Sequence, residues 1–578
     1  MSDFNRYVTT QPGTPKQRSR FDISHRHLTT MNAGSLYPVA RWEVLPSDTF
    51  TIDLATVLRM QTPMHPVMDN CYMDVFFFFV PNRLVWEHWK EFMGESRDGF
   101  LPATEYEEPH VYFPRSDVAV KKGSIYDKLG IPQGYISPTN DHGPSALSFR
   151  AYGLIWNDWF RDQNVSPEIF IDRSDSNYMI DFSYGDELEW FDEDAQFPDH
   201  NLTMVNTWME GRPLPVAKYH DLFTSALPLP QRGPAVALPL ESVYDEGLPV
   251  LAGDLLPGVS TTDPGDLEQK PLVFSSNGGT GTAAGAAALG TDNRSQLFTN
   301  RLVMTSTLAD GLFPANLWAQ SQFAAIGIEN FRQAYALQRL YEREARSGSR
   351  YVELIRSAYG VVSPDARQQR PELLGLRRIP ITMTQVVQHS ATTETSPQGN
   401  TAAYSLTHDK SSYFTYSATE HGNIICVAAI RTDHTYQQGL AKEWTRRRRF
   451  DYHDPVFNNL GEQAILTSEI YAFGDTAVQD SVFGYQEAWY EYRNKSSYVS
   501  GEMSSLYAQS LDIWHYGDVF TSAPTLSEEF IYETRENIDR TLAVDSSVAD
   551  QFLVDLYFET VASRPLPLYS VPGLSGVM

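Results

Sequence analysis

Groups of residues that could support chemistry occur at four places in this 578-residue chain. The most acidic is the run at residues 181–199, which holds eight carboxylates and no basic residue. Paired carboxylates can serve glycoside hydrolysis or bind calcium. This run, however, lacks the spacing of an EF-hand loop, and acidic runs of this kind are usually solvated. We therefore interpret it as a surface loop.

A glycine-rich turn at residues 271–284 mimics a dinucleotide-binding site. The residues PLVF precede Gly279, Gly281 and Ala284, which is a partial match to the turn that holds a pyrophosphate at the start of a helix. The acidic residue that binds ribose about twenty positions later is missing, and no second strand of a βαβ unit follows. We reject a nucleotide site here.

Histidines and cysteines show no catalytic or metal-binding spacing. The fourteen histidines are scattered, and His25 and His27 form the only close pair. Cys71 and Cys426 lie in strand-like runs, and we predict small buried side chains, with a single disulfide as the minor alternative. The chain has no Walker loop and no HExxH, GxSxG or paired CxxC motif. We predict no catalytic residue, no metal, no cofactor and no enzyme activity.

The fourth group is an arginine run at residues 446–449, between Trp444 and Phe450. Its guanidinium groups could form ion pairs at a subunit boundary, which we favour because the chain holds 72 acidic residues. They could instead bind DNA phosphates while the two aromatic rings stack on bases. Nothing supports a role in nuclear import.

The charge balance limits where nucleic acid could bind. The 45 basic and 72 acidic residues give a net charge of −27, and such a surface repels nucleic acid unless a local basic patch attracts it. The length allows about three or four domains. No apolar run approaches the roughly 18 residues needed to span a bilayer. Because the N-terminus also lacks a hydrophobic signal region, we expect the protein to be made and kept in a cytoplasm.

Residues 68–93 contain the strongest structural signal. Within them, residues 75–80 are apolar at every position, so both faces of a strand there must be covered. Pro81 then ends the ladder because proline has no N–H group. Trp86 and Trp89 follow at helical spacing. We predict a doubly buried strand that leads into a supporting helix, with no chemistry at this place.

Further patterns place strands and helices along the rest of the chain. Alternation predicts a strand at residues 49–60, and apolar spacing predicts helices at 145–162 and 314–359, the second broken at 347–349. From Arg377 onward β character returns, in IPITMTQVVQH, SYFTYSATEHGNIICVAAIRTD and SEIYAFG. Antiparallel strands interrupted by helices and loops fit a jelly roll better than alternating βαβ units.

Several blocks of the sequence resemble the major capsid protein of the microviruses (Microviridae), specifically the gokushovirus branch. The blocks are LYPVARWEVLPSDTF (36–50), VFFFFVPNRLVWEHWKEFMGE (75–95), SPDARQQRPELLG (363–375), DPVFNNLGEQAI (454–465), VFGYQEAWYEYR (482–493) and RTLAVDSSVADQFLVDLYFE (540–559). They keep their order along the chain. The resemblance therefore covers nearly the whole sequence outside one central region.

The resemblance implies a mainly β fold, an eight-stranded antiparallel jelly roll (a viral β-sandwich) with long helical and loop insertions. It also implies that the chain assembles with itself, through pentamers and threefold contacts, into a small T=1 icosahedral virion around a circular single-stranded DNA genome. Other implied partners are a small basic internal DNA-binding protein, a pilot protein and a bacterial host surface receptor. Assembly would take place in the bacterial host cytoplasm.

Composition and resemblance together predict five regions. Residues 1–45 form a basic N-terminal arm and lead-in, 46–230 the first part of the jelly roll with inserted helices, and 231–296 a variable surface insertion. Residues 297–560 form a helical insertion and the remainder of the jelly roll, and 561–578 a C-terminal tail. Proline, glycine, alanine and threonine dominate residues 231–296. The resemblance implies a threefold protrusion there, which would contribute to host attachment.

Two basic segments are candidate DNA contacts. Residues 1–27 carry five basic and two acidic residues, and prolines discourage regular structure there. This segment could be a solvated tail or an inner arm that touches phosphates. The candidate nucleic-acid-binding residues are Arg6, Lys16, Arg18, Arg20, Arg26, Arg446, Arg447, Arg448 and Arg449.

A second function remains open on composition. The aromatic content of 13% and the acidic run would also suit a β-rich glycan-binding or glycan-cleaving protein. The size of the purified species separates the two functions, because a shell protein forms large particles and a glycan-binding protein remains small.

Overall fold

The computed structural model describes most of the chain in two compact units. The described residues are 18–95, 106–114, 119–138, 143–179, 211–236, 250–252, 274–276, 312–314, 317–319, 328–387, 389, 392, 398 and 401–569. The first unit joins Met1–Arg232 with Glu342–Met578, and the second is Gly233–Tyr341. Both large sheets lie in the first unit.

Strands dominate the described secondary structure. They are β1 (Ser19–Asp22), β2 (His25–Met31), β3 (Ser35–Val44), β4 (Thr49–Met60), β5 (Cys71–Pro81), β6 (Val111–Tyr112), β7 (Tyr178–Met179), β8 (Leu214–Pro215), β9 (Val250–Ala252), β10 (Phe274–Ser276), β11 (Leu312–Pro314), β12 (Leu317–Ala319), β13 (Glu372–Pro380), β14 (Met383–Val387), β15 (Thr401–Ser405), β16 (Thr407–Ser417), β17 (Gly422–Thr432), β18 (Glu462–Leu466), β19 (Val482–Glu487) and β20 (Phe552–Arg564). Two five-stranded sheets form the framework. One has β1 and β2 beside β20, followed by β4 and β16; the other has the order β13-β5-β17-β3-β8. All pairs within these two sheets are antiparallel.

Helices are fewer and mostly short. Those longer than one turn are Leu147–Ile155, Ile328–Ser347 and Tyr351–Tyr359, and a π-helical turn, Trp156–Phe160, follows the first. The single-turn helices are Asn82–Val85, Trp89–Phe92, Ile125–Lys128, Asp365–Gln368, Thr476–Gln479, Glu528–Ile531 and Glu536–Asp539. The 3₁₀ turns are Lys442–Trp444, Arg449–Asp451, Pro455–Phe457, Thr467–Glu469, Tyr490–Tyr492, Gly501–Met503 and Asp512–Trp514.

The main hydrophobic core lies between the two sheets. Phe77 of β5 packs on Phe414 of β16 and Phe558 of β20, with ring centroids 5.3 and 6.4 Å apart. Trp42 of β3 contacts the same Phe558 ring at 5.3 Å. Because alternate residues of each strand face this space, the two sheets form a sandwich. The prediction of a mainly antiparallel β fold with inserted helices is confirmed.

Strand β5 is covered on both faces, as its apolar run predicts. It lies between β13 and β17. Phe77 belongs to the core between the sheets, whereas Phe78 belongs to a second core on the outer face of the same sheet. The Phe78 ring lies 5.3 Å from Trp159. Both phenylalanines are fully buried, so the sheet needs the inserted layer to exclude water from its outer face.

The inserted layer is built around the helix Leu147–Ile155, which the apolar spacing of residues 145–162 predicts. Every residue of this helix is buried. The Tyr152 hydroxyl donates to the Leu36 carbonyl of β3 at 2.7 Å and accepts from the Leu214 amide of β8 at 2.8 Å. Trp156 donates its indole N–H to the Pro215 carbonyl at 2.7 Å. These bonds attach the helical layer to the edge of the sheet.

Three local predictions are wrong. The helix expected after Pro81 is two single-turn helices, because Trp86 is extended (φ −144°, ψ 123°) and donates its indole N–H to Asp175 at 2.7 Å. The helix expected from residue 314 begins at Ile328, although its break after Ser347 is confirmed. SEIYAFG is not a strand, since a 3₁₀ turn occupies Thr467–Glu469.

The N-terminal segment is also more regular than its composition indicates. Residues from Ser19 onward form β1 and β2, which pair in sequence along β20. The Ile23 amide donates to the Thr560 carbonyl at 3.0 Å between them. Backbone pairing with the distant C-terminal strand therefore outweighs the local turn signals, and only residues 1–17 of this segment lie outside the described part.

The two cysteines are buried and unpaired. Cys71 opposes Thr432 of β17, whereas Cys426 opposes Phe77 of β5, so the register places them six positions apart along the paired strands. Burial raises the pKa of both thiols. The interpretation of both as small core side chains is confirmed, and the disulfide alternative is wrong.

The second unit contains its own strand pairs. Strand β9 pairs with β12, and β10 pairs with β11. Most of the predicted surface insertion (residues 231–296) falls in this unit, which also includes β11 and β12 and ends at Tyr341. Residues 279–284 of the glycine-rich turn lie outside the described residues, as does the acidic run at 181–199.

Candidate nucleic-acid and subunit interface

The N-terminal candidate residues differ in their surroundings. Arg26 in β2 forms a bidentate ion pair with Asp555 of β20, with Nε–Oδ1 at 2.7 Å and Nη2–Oδ2 at 2.5 Å. Arg18 and Arg20 are exposed beside and within β1. Arg6 and Lys16 lie outside the described residues. The pair with Asp555 leaves Arg26 poorly suited to bind a phosphate.

The histidine pair His25 and His27 is structural. The His25 ring stacks on Phe558 at 5.2 Å and contacts Trp42 at 5.5 Å. His27 places Nδ1 2.7 Å from the Val39 carbonyl. Both rings thus link β2 to the neighbouring strands.

Arg446 is the one residue of the arginine run that is held by ion pairing within the described chain. Its Nη2 donates to Glu491 Oε1 at 3.2 Å, and both side chains are largely buried. Its guanidinium also lies over the Tyr492 ring, 4.5 Å from the centroid, and near Tyr452 at 5.3 Å. This residue therefore anchors the loop within its own chain, and the predicted ion pairing at a subunit boundary stays a prediction.

The side chains of Arg447, Arg448 and Arg449 are not held by ion pairs within the described residues, unlike that of Arg446. Asp451 accepts hydrogen bonds from the backbone amides of Arg447 and Arg448, both at 2.7 Å, which lower the pKa of the Asp451 carboxyl. The three side chains are exposed and make no ion pair with any residue that the structure describes. Asp451 thus satisfies two backbone amides of the exposed turn, and the three arginine side chains remain exposed.

Two aromatic side chains flank these cations. Trp444 ends one 3₁₀ turn and Phe450 lies in the next, and their side chains are 74% and 71% exposed. The two rings therefore present apolar surface on both sides of the cations in the sequence. Exposed rings beside guanidinium groups can stack on bases while the cations bind phosphates. The same surface could also be buried against another protein.

A buried polar network holds this surface in place. Lys442 Nζ donates to the Tyr490 hydroxyl at 3.1 Å, and that hydroxyl donates its one proton to the Glu469 carboxylate, whose oxygens lie 2.7 and 2.6 Å away. Burial lowers the pKa of Lys442 and raises the pKa of Glu469. The network joins three chain segments, so the turns around Trp444 have a defined position.

An open apolar groove of about 510 Å³ lies beside the arginine turn. Its lining residues are Phe450, Phe457, Leu460, Gly461, Glu462, Gln463, Ala488 and Trp489. Trp489 donates its indole N–H to the Phe457 carbonyl at 3.1 Å and has a left-handed backbone, with φ of 66°. Sequence reasoning missed this groove. All of its lining residues except Phe450 lie within two of the blocks that carried the resemblance, but the apolar spacing there is irregular.

The described residues contain neither a cluster of metal ligands nor a membrane-spanning helix. Within the described residues, no three or more His, Cys, Asp or Glu side chains come close enough to hold a metal ion. Of the helices that the structure describes, none has the length and apolar character required to cross a membrane.

Comparison with known proteins gives consistent matches along the whole chain. The family model described as "Capsid protein (F protein)" matches residues 10–574. The chain is 36% identical to the capsid protein VP1 of Chlamydia phage 1, over 97% of this chain and 96% of that protein. It is 35% identical to VP1 of Spiroplasma virus 4 (96% and 95% covered) and 36% identical to VP1 of Bdellovibrio phage phiMH2K (98% and 97% covered). The resemblance to gokushovirus capsid proteins is confirmed, and the chain belongs to the phage capsid protein (F protein) family.

Proposed function

We propose that the chain is the major capsid protein of a gokushovirus-type microvirus, a structural protein that self-assembles into the shell of the virion. The observation that carries this proposal is the family match, which spans residues 10–574 and therefore includes both sheets and every inserted element between them. The shell is a small T=1 icosahedron, built through pentamers and threefold contacts around a circular single-stranded DNA genome. The acidic run at 181–199, on which the glycan-cleaving alternative rests, lies outside the described residues.

The eight-stranded jelly roll is supported by the pairing of the strands. If β1 and β2 count as one interrupted strand and the two-residue β8 is set aside, each sheet has four strands. In chain order the first strand then pairs with the last (β20), β3 with β17, β4 with β16, and β5 with β13. This nesting of hairpins is the pattern of a jelly roll.

The shell proposal is tested by the size of the purified protein. We expect closed megadalton-scale particles, or pentameric precursors of them, in electron micrographs and in sedimentation velocity runs. A stable monomer that binds glycans would overturn the proposal and favour the β-rich glycan-binding or glycan-cleaving alternative.

Further partners follow from the same proposal. A small basic internal protein would neutralise the genome, which accounts for a coat chain with a net charge of −27. A pilot protein and a bacterial host surface receptor complete the set. The protein would assemble in the bacterial host cytoplasm.

We further propose that the genome contacts the exposed cations of the chain. Arg447, Arg448 and Arg449 are the best supported, because they are exposed, lack ion pairs among the described residues and lie between two exposed aromatic rings. Arg18 and Arg20 are supported by exposure alone. Arg26 and Arg446 are less suitable because Asp555 and Glu491 already neutralise them.

Replacing Arg447, Arg448 and Arg449 together by alanine is expected to weaken binding of the unassembled protein to a single-stranded oligonucleotide. Each phosphate contact to a single strand contributes about 0.7 to the slope of log K against log salt, so the slope should fall by about 2. Fluorescence anisotropy at several salt concentrations measures it. The control is Arg26→Ala, which removes a cation already paired. An unchanged slope combined with failed assembly would place the three arginines at a subunit boundary instead.

Replacing residues 235–295 by a short glycine–serine linker is expected to leave closed particles. The described strands lost with this segment, β9 and β10, pair only with β12 and β11 of the same unit. We propose that the segment forms the variable threefold protrusion and contributes to host attachment, so adsorption to host cells should fall. Micrographs and adsorption assays measure the two effects, and failure to assemble would show that the segment is required at the threefold contact.

A further inference from the structure

The stretch of chain that follows the groove residue Trp489 has few partners among the residues that the structure describes. This connecting segment, residues 494–500, has no regular secondary structure, and all of its residues except Val499 are exposed. Lys495 forms an ion pair with Glu443 at 3.2 Å. Residues 496–500 make no hydrogen bond with any residue that the structure describes, and the Tyr498 side chain is 76% exposed. Ordering such a segment costs conformational entropy that contacts within the chain do not offset.

The start of the connecting segment is attached to the rim of the groove. Trp489 lines the groove, and the Tyr492 ring lies 6.3 Å from it. The Tyr492 hydroxyl accepts from the His453 amide at 3.2 Å. Arg493 donates to the Ala488 carbonyl at 3.2 Å. Residues 496–500, which make no hydrogen bond or ion pair with the described residues, therefore follow directly along the chain from the rim of the groove.

The chemistry of the groove favours a protein segment over DNA as its occupant. Its lining includes several apolar side chains and one carboxylate, and it includes no lysine or arginine. A phosphate backbone would find no cation inside it. Residues 496–500 read Ser-Ser-Tyr-Val-Ser, which has no charge and presents one large aromatic ring. Such a segment can enter an apolar groove without desolvating a charged group.

We propose that the connecting segment of one copy lies in the apolar groove of a second copy, and reciprocally, about a twofold axis, with Tyr498 as the inserted side chain. A surface that carries both the segment and its receptor is self-complementary, which is the condition for an isologous contact. The inference rests on the proposed shell function, which supplies neighbouring copies. It assigns the groove beside the arginine turn to contact between subunits.

Disulfide trapping tests the contact. In the double variant Leu460→Cys/Tyr498→Cys, oxidation of assembled particles is expected to give a covalent dimer on a non-reducing gel, with no larger product, and reductant should restore the monomer. The native Cys71 and Cys426 are buried, and their raised pKa keeps the thiols unreactive. The matched control is Leu460→Cys/Val548→Cys, because Val548 is equally exposed but lies outside the connecting segment.

The remaining outcomes distinguish a failure of the proposed contact from a failure of the shell function. A ladder of trimers to pentamers would show contact about a different axis, and a fast-migrating monomer would show that the segment fills its own groove. Closed particles without any disulfide would reject the contact while leaving the shell function intact. Absence of particles from the unsubstituted protein would instead reject the shell function.

A second variant avoids dependence on thiol geometry. Tyr498→Asp places a charge where the ring should enter the groove, and at equal protein concentration we expect roughly tenfold fewer particles. Because Tyr498 has no partner within the described chain, the circular dichroism and melting temperature of the subunit should not change. Normal assembly of Tyr498→Asp would overturn the assignment of Tyr498.

Discussion

Replacement of His434 by alanine is expected to lower the free energy of unfolding of the subunit by about 3–5 kcal/mol, because it leaves buried carboxylates without their cation. His434 Nδ1 lies 2.7 Å from Asp518 Oδ2, and Nε2 lies 2.9 Å from Glu533 Oε2. The histidine and glutamate side chains are almost fully buried. Lys218 lies 3.8 Å from Asp518, and among the described ion pairs it contacts Asp518 but not Glu533.

The pH dependence of this network follows from the charge on the histidine. Burial alone would lower the pKa of His434, but Glu533 and Asp518 outweigh burial and raise the pKa to about 10. A group whose pKa rises on folding stabilises fully below its unfolded pKa, here 6.5, and loses that contribution as the pH rises through about 10. The difference in stability between wild type and His434→Ala should therefore shrink between these two values.

Urea unfolding of the unassembled subunit at a series of pH values measures both effects. The matched control is His220→Ala, since His220 is exposed and its removal should change stability by less than about 0.5 kcal/mol. A stability difference that stays constant from neutral pH to pH values above 10 would show that His434 is not charged in the folded subunit.

Asp74→Ala should cost a similar amount, about 3–5 kcal/mol, because it leaves a buried arginine unpaired. Asp74 is buried in the middle of β5. Its Oδ1 accepts from Arg378 Nε at 3.0 Å, and its Oδ2 accepts from the Tyr219 hydroxyl at 2.8 Å and from Arg431. The two guanidinium groups lie 3.9 and 4.2 Å from the Tyr219 ring centroid. The Arg431 side chain is mostly buried, so water would solvate its guanidinium group poorly after the loss of Asp74.

Two further variants show how much of the stability cost of Asp74→Ala comes from burial of the network and how much from the loss of an ion pair. Asp74→Asn keeps an acceptor but loses the charge, and we expect a smaller cost of about 1–3 kcal/mol. Asp555→Ala removes the partner of the largely exposed Arg26, and surface pairs contribute at most about 1 kcal/mol. Chemical denaturation of the three variants measures how much free energy of unfolding each one loses. If Asp74→Ala costs no more than Asp555→Ala, the network does not stabilise the sheet.

The sequence predicted strands correctly where the apolar pattern was regular, whether uninterrupted or alternating. The uninterrupted run in β5 requires cover on both faces, and the alternation in β4 requires cover on one. Both are properties of a strand itself, so the sequence is sufficient to predict them. The N-terminal strands β1 and β2 were missed because their stability comes from pairing with β20, more than 500 residues away.

The sequence predicted which residues make up the arginine run, but it did not predict their partners or the neighbouring groove. The arginine run between Trp444 and Phe450 is visible in the sequence, and so is its unusual character in an acidic chain. The four arginines have the same local sequence context, yet Arg446 is paired with Glu491 and the next three are exposed. The apolar groove brings together residues 450–463 and 488–489, which no local pattern connects.

The sequence alone determined the class of fold, the doubly covered strand β5, the absence of familiar catalytic motifs and the resemblance to gokushovirus capsid proteins. These depend on periodicity and residue type, which are local quantities. Only the tertiary structure decided which cations are neutralised, where the buried charges of Asp74 and His434 find partners, and which apolar side chains remain exposed. Those outcomes depend on distances between residues hundreds of positions apart, because electrostatic pairing and burial are set by the packed chain.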